Sequence, residues 1–254
     1  MAEPDNWDEH WVRYADAASR NPAQQMRHRL IVRLLADATG PGARVLDIGS
    51  GQGDLLVKLH AAAPQASLLG FELSASGVEI SRRKVPAGRF FVADLFAPPA
   101  ALGEFAGWAT AAVCSEVLEH VDSPVDFLKA ARPYLADGAR LVVTVPGGPM
   151  SAFDHHIGHR RHFTRNSITQ VLQAAGFAVD RVCLSGWPFF NLYRLVVIAR
   201  GRKLAADVDA GQAGAAGGVA AIVMAVFRAL FAFNLTNSPF GWQVVAVARK
   251  TGAN

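Results

Sequence analysis

The stretch Val45-Leu46-Asp47-Ile48-Gly49-Ser50-Gly51-Gln52-Gly53 decides how the rest of this 254-residue chain is read. An apolar run of strand type passes straight into a glycine-rich turn, and helical periodicity resumes at Asp54. Glycines at such a turn permit positive φ and let a ligand lie against bare backbone. Nineteen residues after Gly53, Glu72 ends a second apolar run, Leu69-Gly70-Phe71-Glu72, where a carboxylate can accept both ribose hydroxyls of an adenosine. The spacing departs from the dinucleotide fingerprint G-x-G-x-x-G, because Asp54 stands where the last glycine would be. An acid at that helix N-terminus is a poor neighbour for a pyrophosphate. It is acceptable beside a cofactor carrying a sulfonium and an amino group.

Outward from this turn, short β-rich runs alternate with helical ones, the pattern of a parallel sheet with crossover helices. Strands are expected at Arg44–Ile48, Ser67–Glu72, Arg89–Ala93, Ala109–Cys114, Arg140–Val145 and Ala178–Leu184, with a last one at Trp242–Arg249. Helices are expected at Asp54–Ala63, Ala75–Lys84, Ser123–Leu135 and Asn166–Ala175, the last followed by Gly176 in the place of a helix-ending glycine. Residues 1–40 read as a helical segment, with Pro22 opening a stretch that Gly40-Pro41-Gly42 stops. These elements make one domain over 1–254: a doubly wound α/β sheet of seven strands, with a helical insertion at 186–241 between strands six and seven.

Composition narrows little further. Half the residues are hydrophobic and 18% are charged, with no collagen-like or coiled-coil bias. A net charge of +4 and a pI near 9.4 are compatible with an anionic substrate, nucleic acid or a membrane surface. Cys114 and Cys183 each sit in an apolar run and read as inert core thiols of a reducing compartment. The charged start MAEPDNWDEHWVRYAD has no apolar core of signal-peptide length, so a cytoplasmic location is expected.

Two more strand ends carry polar groups: Val92-Ala93-Asp94-Leu95, with an acid suited to an adenine amino group, and Ala112-Val113-Cys114-Ser115-Glu116. Together with the glycine turn and Glu72 they fall at strand C-termini, where doubly wound sheets bind ligands. Over roughly residues 25 to 185 the chain resembles the class I S-adenosylmethionine-dependent methyltransferases, through their motifs I to IV. That resemblance implies a Rossmann-like fold and S-adenosylmethionine as cofactor. It implies that Asp47, Gly49, Ser50, Gly51 and Gly53 hold the methionine end. Glu72 and Leu73 would then lie at the ribose, Asp94 and Leu95 at the adenine, and Ser115 along the cofactor.

Glu116, Glu119 and His120 would share one face if the segment after the fourth strand is helical. Downstream of the fifth strand comes a block rich in histidine and arginine, Asp154-His155-His156-Ile157-Gly158-His159-Arg160-Arg161-His162. The residues leave two arrangements open. In one, the acids anchor the cofactor side and the basic run is a solvated loop facing substrate. In the other, carboxylates and imidazoles surround a divalent ion, and mixed O/N ligation suits Mg, Mn, Fe or Zn. Glu116-Val117-Leu118-Glu119-His120 resembles the E-x-x-E-H segment of the ubiquinone-biosynthesis O-methyltransferases and of the small-RNA 2′-O-methyltransferases. Gly158–Arg165 resembles the block carrying the RNA enzymes' later histidine. The resemblance implies Glu116, Glu119, His120 and His159 as metal ligands. Methyl transfer to oxygen also needs a proton acceptor, and His120, His155, His156 and His159 are the candidates for it.

The insertion is more apolar than a single packed stripe requires, and Arg194, Arg200, Arg202, Lys203 and Arg228 flank it. It reads as a helical lid or dimer contact, or as a wall for a lipid-like acceptor with peripheral membrane contact through 189–234. Its middle, Ala205–Gly218, reads as a mobile loop. The expected acceptor is a hydroxyl on a small or lipid-like molecule. A catalytically inactive binding protein of the same fold, an RNA 2′-O-methyltransferase and a nicotinamide-dependent oxidoreductase are the alternatives. The glycine spacing disfavours the last of these, and no recognisable RNA-binding module accompanies the basic loop.

Overall fold

The computed structural model describes residue 8, residues 21–209 and residues 219–252. Most of the N-terminal helical segment expected before residue 21 lies outside the described residues, as do residues 210–218 of the expected loop. In chain order the elements are α1 (Pro22–Leu35), β1 (Arg44–Ile48), α2 (Asp54–Ala62), β2 (Ser67–Glu72), α3 (Ala75–Lys84), β3 (Arg89–Val92) and β4 (Ala109–Ser115). They continue with α4 (Pro124–Ala131), β5 (Leu135–Pro146), α5 (Ala152–His156), α6 (Arg165–Ala174), β6 (Phe177–Ser185), α7 (Phe189–Asp209), α8 (Val219–Leu230) and β7 (Gln243–Lys250).

The seven strands form one sheet in the order β3-β2-β1-β4-β5-β7-β6. β1 through β5 pair in parallel, and β7 runs antiparallel between β5 and β6. Strand order reverses between β1 and β4, which opens a crevice at their C-terminal ends. Both faces of the sheet are covered, so β1 and β4 are buried over most of their length. Leu46 and Ile48 point into one core with Phe71 and Leu141, while Val45 joins Ile31, Leu35 and Leu56 in the other. Local chemistry starts the helices where the sequence suggests. Asn21 accepts a hydrogen bond from Ala23 N at 2.9 Å beside Pro22, and Ser123 caps α4 beside Pro124.

Several boundaries differ from expectation. The helix expected over Ser123–Leu135 stops at Ala131, because Pro133 cannot donate to the ladder and a 3-10 turn takes over. β5 is longer than Arg140–Val145 and accommodates its extra length through a register shift against β4. Helix α7 runs on to Asp209 past a break at Gly201, so residues 205–209 are helical rather than part of a loop. Residues 116–120 form a turn, not the helix on which a shared face depended. Cys114 is buried and Cys183 half-buried, both free. No described helix is long and apolar enough to cross a membrane.

One buried polar group in this frame has a measurable consequence. His28, 7% exposed on α1, has its pKa pulled down to about 3 by burial, with Lys58 and Arg27 adding to the shift. The folded chain keeps His28 neutral while the unfolded chain protonates it near 6.5. Its contribution to stability is therefore complete above that pH and declines as pH falls toward 3. Urea unfolding at pH 7 and pH 5 should show a loss that His28→Gln reduces by about 2 kcal/mol. An unchanged difference between the two pH values would refute this assignment.

Candidate functional site

The turn after β1 supplies the floor of the crevice. Gly49, Gly51 and Gly53 have φ of 76°, 54° and 78°, a region costly for any side chain-bearing residue. Space excludes a side chain as well: a Cβ on Gly49 would lie 2.5 Å from Val117 Cγ2, and one on Gly53 would lie 2.9 Å from Ser81 Oγ. Glu72 closes the turn from β2, its carboxylate accepting from Gly51 N at 2.7 Å and Ser74 N at 3.0 Å. Ser74 in turn caps α3 and donates from its hydroxyl to Asp8 at 2.6 Å, which places Asp8 at this edge of the crevice. Nothing in the sequence pattern pointed to Asp8.

Asp47 is buried, and its pKa is pushed up to about 8 by burial and by the neighbouring Glu72. Ser50 Oγ is buried with no hydrogen-bond partner among the described residues. At the next strand ends Leu73 and Phe96 stand 54% and 57% exposed. Asp94 is exposed and accepts from Phe96 N at 2.9 Å, while Leu95 is buried beneath. Ser115 Oγ shares a 2.8 Å hydrogen bond with Thr144 Oγ1. Bare glycine backbone, an unsatisfied hydroxyl, an acid on β2 and uncovered apolar tips fit an adenosine-bearing cofactor that ends in a cationic amino acid. S-adenosylmethionine is such a molecule.

Beyond β4 the chain turns sharply at Glu116, the one described non-glycine residue with positive φ, 56°. That conformation costs on the order of 1–3 kcal/mol and persists only where the surroundings hold it. Here Thr144 Oγ1 and Gln243 Nε2 donate to Glu116 Oε1 at 3.1 and 2.9 Å, and Arg27 Nη1 lies 3.5 Å from Oε2. Glu116 is thereby committed to groups on α1, β5 and β7, and it is absent from the sets of ligand atoms that converge nearby.

Two such sets share His159: Glu119, His120 and His159, and Asp154, His159 and His162, with the ligand atoms of each within 4.8 Å of one another. Glu119 is fully buried, and neither carboxylate oxygen has a hydrogen-bond partner among the described residues. Burial, reinforced by Glu116, holds its pKa well above the ordinary carboxylate range. Its backbone carbonyl accepts from Arg160 N at 2.8 Å, which ties the β4 turn to the histidine block. The rings of His120 and His159 meet edge to face at 4.8 Å, and His162 Nε2 lies 3.3 Å from His159 Nδ1. Burial and the neighbouring His120 pull the His159 pKa down to about 3. A neutral imidazole is the ligand form, whereas a general base works best with a pKa near the operating pH. The environment of His159 thus favours ligation over proton abstraction.

Asp154, fully buried, backs the cluster from the other side. Both its oxygens accept from Arg194 Nη2 of α7, at 2.9 and 2.8 Å, and Oδ1 lies 3.9 Å from His159 Nδ1 and from His162 Nε2. Sequence reading assigned no role to Asp154, His162, Arg27, Thr144 or Gln243. Asp154 also completes a capping box with Ser151, a local signal that was available in the sequence. His155 and His156, two of the proton-acceptor candidates, sit exposed on α5 and are not among the converging groups.

Comparisons with known proteins bear on the family and the fold. A family model described as a methyltransferase domain matches residues 19–182. An uncharacterized 37.1 kDa protein in transposon TN4556 of Streptomyces fradiae is 31% identical over 160 residues, 56% of this chain and 45% of that protein. The chain thus spans less than half the length of that relative. Among solved structures, the [4+2]-cyclase SpnF superposes with a TM-score of 0.61 at 19% identity, over 91% of this chain and 83% of that one. Geranyl diphosphate C-methyltransferase from Streptomyces coelicolor A3(2), in complex with Mg2+, geranyl diphosphate and S-adenosyl-L-homocysteine, gives 0.56 at 15% identity, over 88% and 79%. A TehB-like SAM-dependent methyltransferase from Corynebacterium glutamicum gives 0.56 at 16% identity, over 97% of both chains. At these identities the likeness is one of fold.

Proposed function

The chain belongs to the methyltransferase domain family, and on that premise we propose that it moves the methyl group of S-adenosylmethionine to a hydroxyl of a small or lipid-like acceptor. The observation that carries the cofactor half is the turn Gly49–Gly53 closed by Glu72. Transfer from a sulfonium is an in-line displacement that needs no covalent enzyme intermediate. The protein's task is alignment, which can supply about 7–11 kcal/mol of the barrier. In this reading the glycine turn and Asp47 hold the methionine end, Glu72 the ribose, and Leu73, Asp94 and Phe96 border the adenine.

Oxygen as the accepting atom is favoured by the buried, partnerless Glu119 beside His120 and His159. These three residues would hold a divalent cation, which when bound lowers the pKa of a hydroxyl brought to it. Glu116 stays in its hydrogen bonds and shapes the turn. Asp154 and Arg194 hold the histidine side in place from α7. Without a metal, His120 would take the proton.

Calorimetric titration with S-adenosylhomocysteine tests the cofactor half. Its α-ammonium group beside Asp47 should ionise that carboxyl, so binding at pH 7 should release close to one proton. Heats measured in phosphate and in Tris would differ accordingly, and Asp47→Asn should remove the difference. Binding of NAD in place of S-adenosylhomocysteine would overturn the reading. Paired acceptors with and without the hydroxyl, tested with labelled S-adenosylmethionine, decide the atom methylated, and methylation of the deoxy partner would rule out oxygen.

A further inference from the structure

We propose that the outer face formed by α7 and α8 docks on an anionic lipid surface. The two helices pack against each other and against α1 through their inner sides. Phe190, Phe227 and Phe231 are buried there with Ala23 and Met26, and Tyr193 meets Phe227 at 5.4 Å. Their outer sides are apolar too: Leu192, Leu195 and Val196 on α7 and Ile222, Val223 and Val226 on α8 are all exposed. Single exposed leucines are ordinary, but neighbouring apolar faces on two packed helices are not. Downstream of α8 the exposure continues with Phe233, which is 72% exposed.

Charge identifies the occupant. Across Trp187–Asp209 and Val219–Gly241 five basic residues outnumber two acids, Asp207 and Asp209 at the end of α7. Arg194 is turned inward to Asp154, whereas Arg202, Lys203 and Arg228 are exposed. The charged side chains described as exposed on this face are all cations, so a second copy would set like charges against each other, a repulsive arrangement for an isologous contact. An anionic bilayer offers hydrocarbon for the apolar side chains and phosphates for the arginines and lysine. α8 has 12 residues against the roughly 20 needed to span, so the pair would lie on the membrane. α7 carries this face on one side while Arg194, one residue before Leu195, turns inward to Asp154 beside the histidine cluster. The binding itself does not depend on the proposed reaction.

Co-sedimentation of the full chain with phosphatidylcholine vesicles, with and without a third of phosphatidylglycerol, tests this. Binding to the anionic vesicles alone is expected, and added salt should weaken it. The double substitution Ile222→Glu, Val226→Glu should reduce binding by about tenfold or more. Arg202→Glu with Lys203→Glu should reduce it by a similar factor, since each near-surface cation contributes about fivefold. All four side chains are exposed, so melting temperature and S-adenosylhomocysteine affinity should stay at wild-type values. Failure to bind anionic vesicles, equal binding to both vesicle types, or binding unchanged by either double substitution would overturn the proposal. So would a dimer seen by ultracentrifugation that the Ile222 and Val226 changes disrupt while no vesicle binding is found.

Discussion

Glu72→Ala should weaken binding of S-adenosylhomocysteine by about 100-fold or more, measured by calorimetry. In the folded chain the Glu72 carboxylate accepts two backbone N–H groups, from Gly51 and Ser74, and is itself only 6% exposed. Removing it leaves both donors without that acceptor, at about 1–3 kcal/mol for each buried group. The glycine turn then loses the group that holds it closed against β2. In the proposed complex the same carboxylate also receives the ribose hydroxyls, so ligand contact and loop order are lost together. A 100-fold change corresponds to about 2.7 kcal/mol, well within the sum of those effects. Glu72→Gln separates the two roles, because it keeps the volume but turns an amide N–H toward a backbone donor. It should also lower the Asp47 pKa by removing a neighbouring carboxylate, and so reduce the proton release on binding. A Glu72→Ala protein that melts lower yet binds S-adenosylhomocysteine as tightly as wild type would show that Glu72 is structural only.

The second large effect is expected at Glu119. A carboxyl buried without partners is costly as an anion and cheaper when protonated or bound to a cation. In metal-free protein Glu119→Gln should therefore raise the melting temperature, since it removes a potential buried charge with little change in volume. Added Mn2+ or Zn2+ should stabilise the wild type. At a hundredfold excess over Kd the linkage is worth about 2.7 kcal/mol, or a shift of roughly 5–10 °C for a chain of this size. Glu119→Gln should lose that shift. Glu116→Gln should keep it, because Glu116 is engaged with Thr144, Gln243 and Arg27 and stands outside the converging set. The resemblance to E-x-x-E-H enzymes makes the opposite prediction for Glu116, so this pair of variants discriminates between the two ligand sets. If no divalent ion shifts the melting of chelator-treated wild type, Glu119 is a neutral buried acid and metal assistance falls.

Both predictions start from strand ends, and the strand ends were legible. β1, β2 and α3 fall where expected, because a strand covered on both faces reads as a continuous apolar run and glycine-rich turns interrupt it unmistakably. The residues expected at the cofactor were legible as positions, since each sits within a few residues of a strand terminus. The acid and histidine cluster was legible as an inventory of residue types but not as an arrangement. The expectation of one helical face for Glu116, Glu119 and His120 failed because Glu116 adopts positive φ and reverses the chain. No propensity rule assigns that conformation to a glutamate.

The amino-acid sequence by itself determined the doubly wound sheet, the glycine turn at Gly49–Gly53 and the acids that line the crevice. Those features depend on side-chain alternation and on backbone freedom within a few residues of one another. Only the tertiary structure decided which polar groups meet. Arg27 and Gln243 come from opposite ends of the chain to hold Glu116, and Arg194 crosses from α7 to neutralise Asp154. Such pairings join residues brought together by helix packing and sheet order. Their energies depend on burial, which no local sequence pattern encodes.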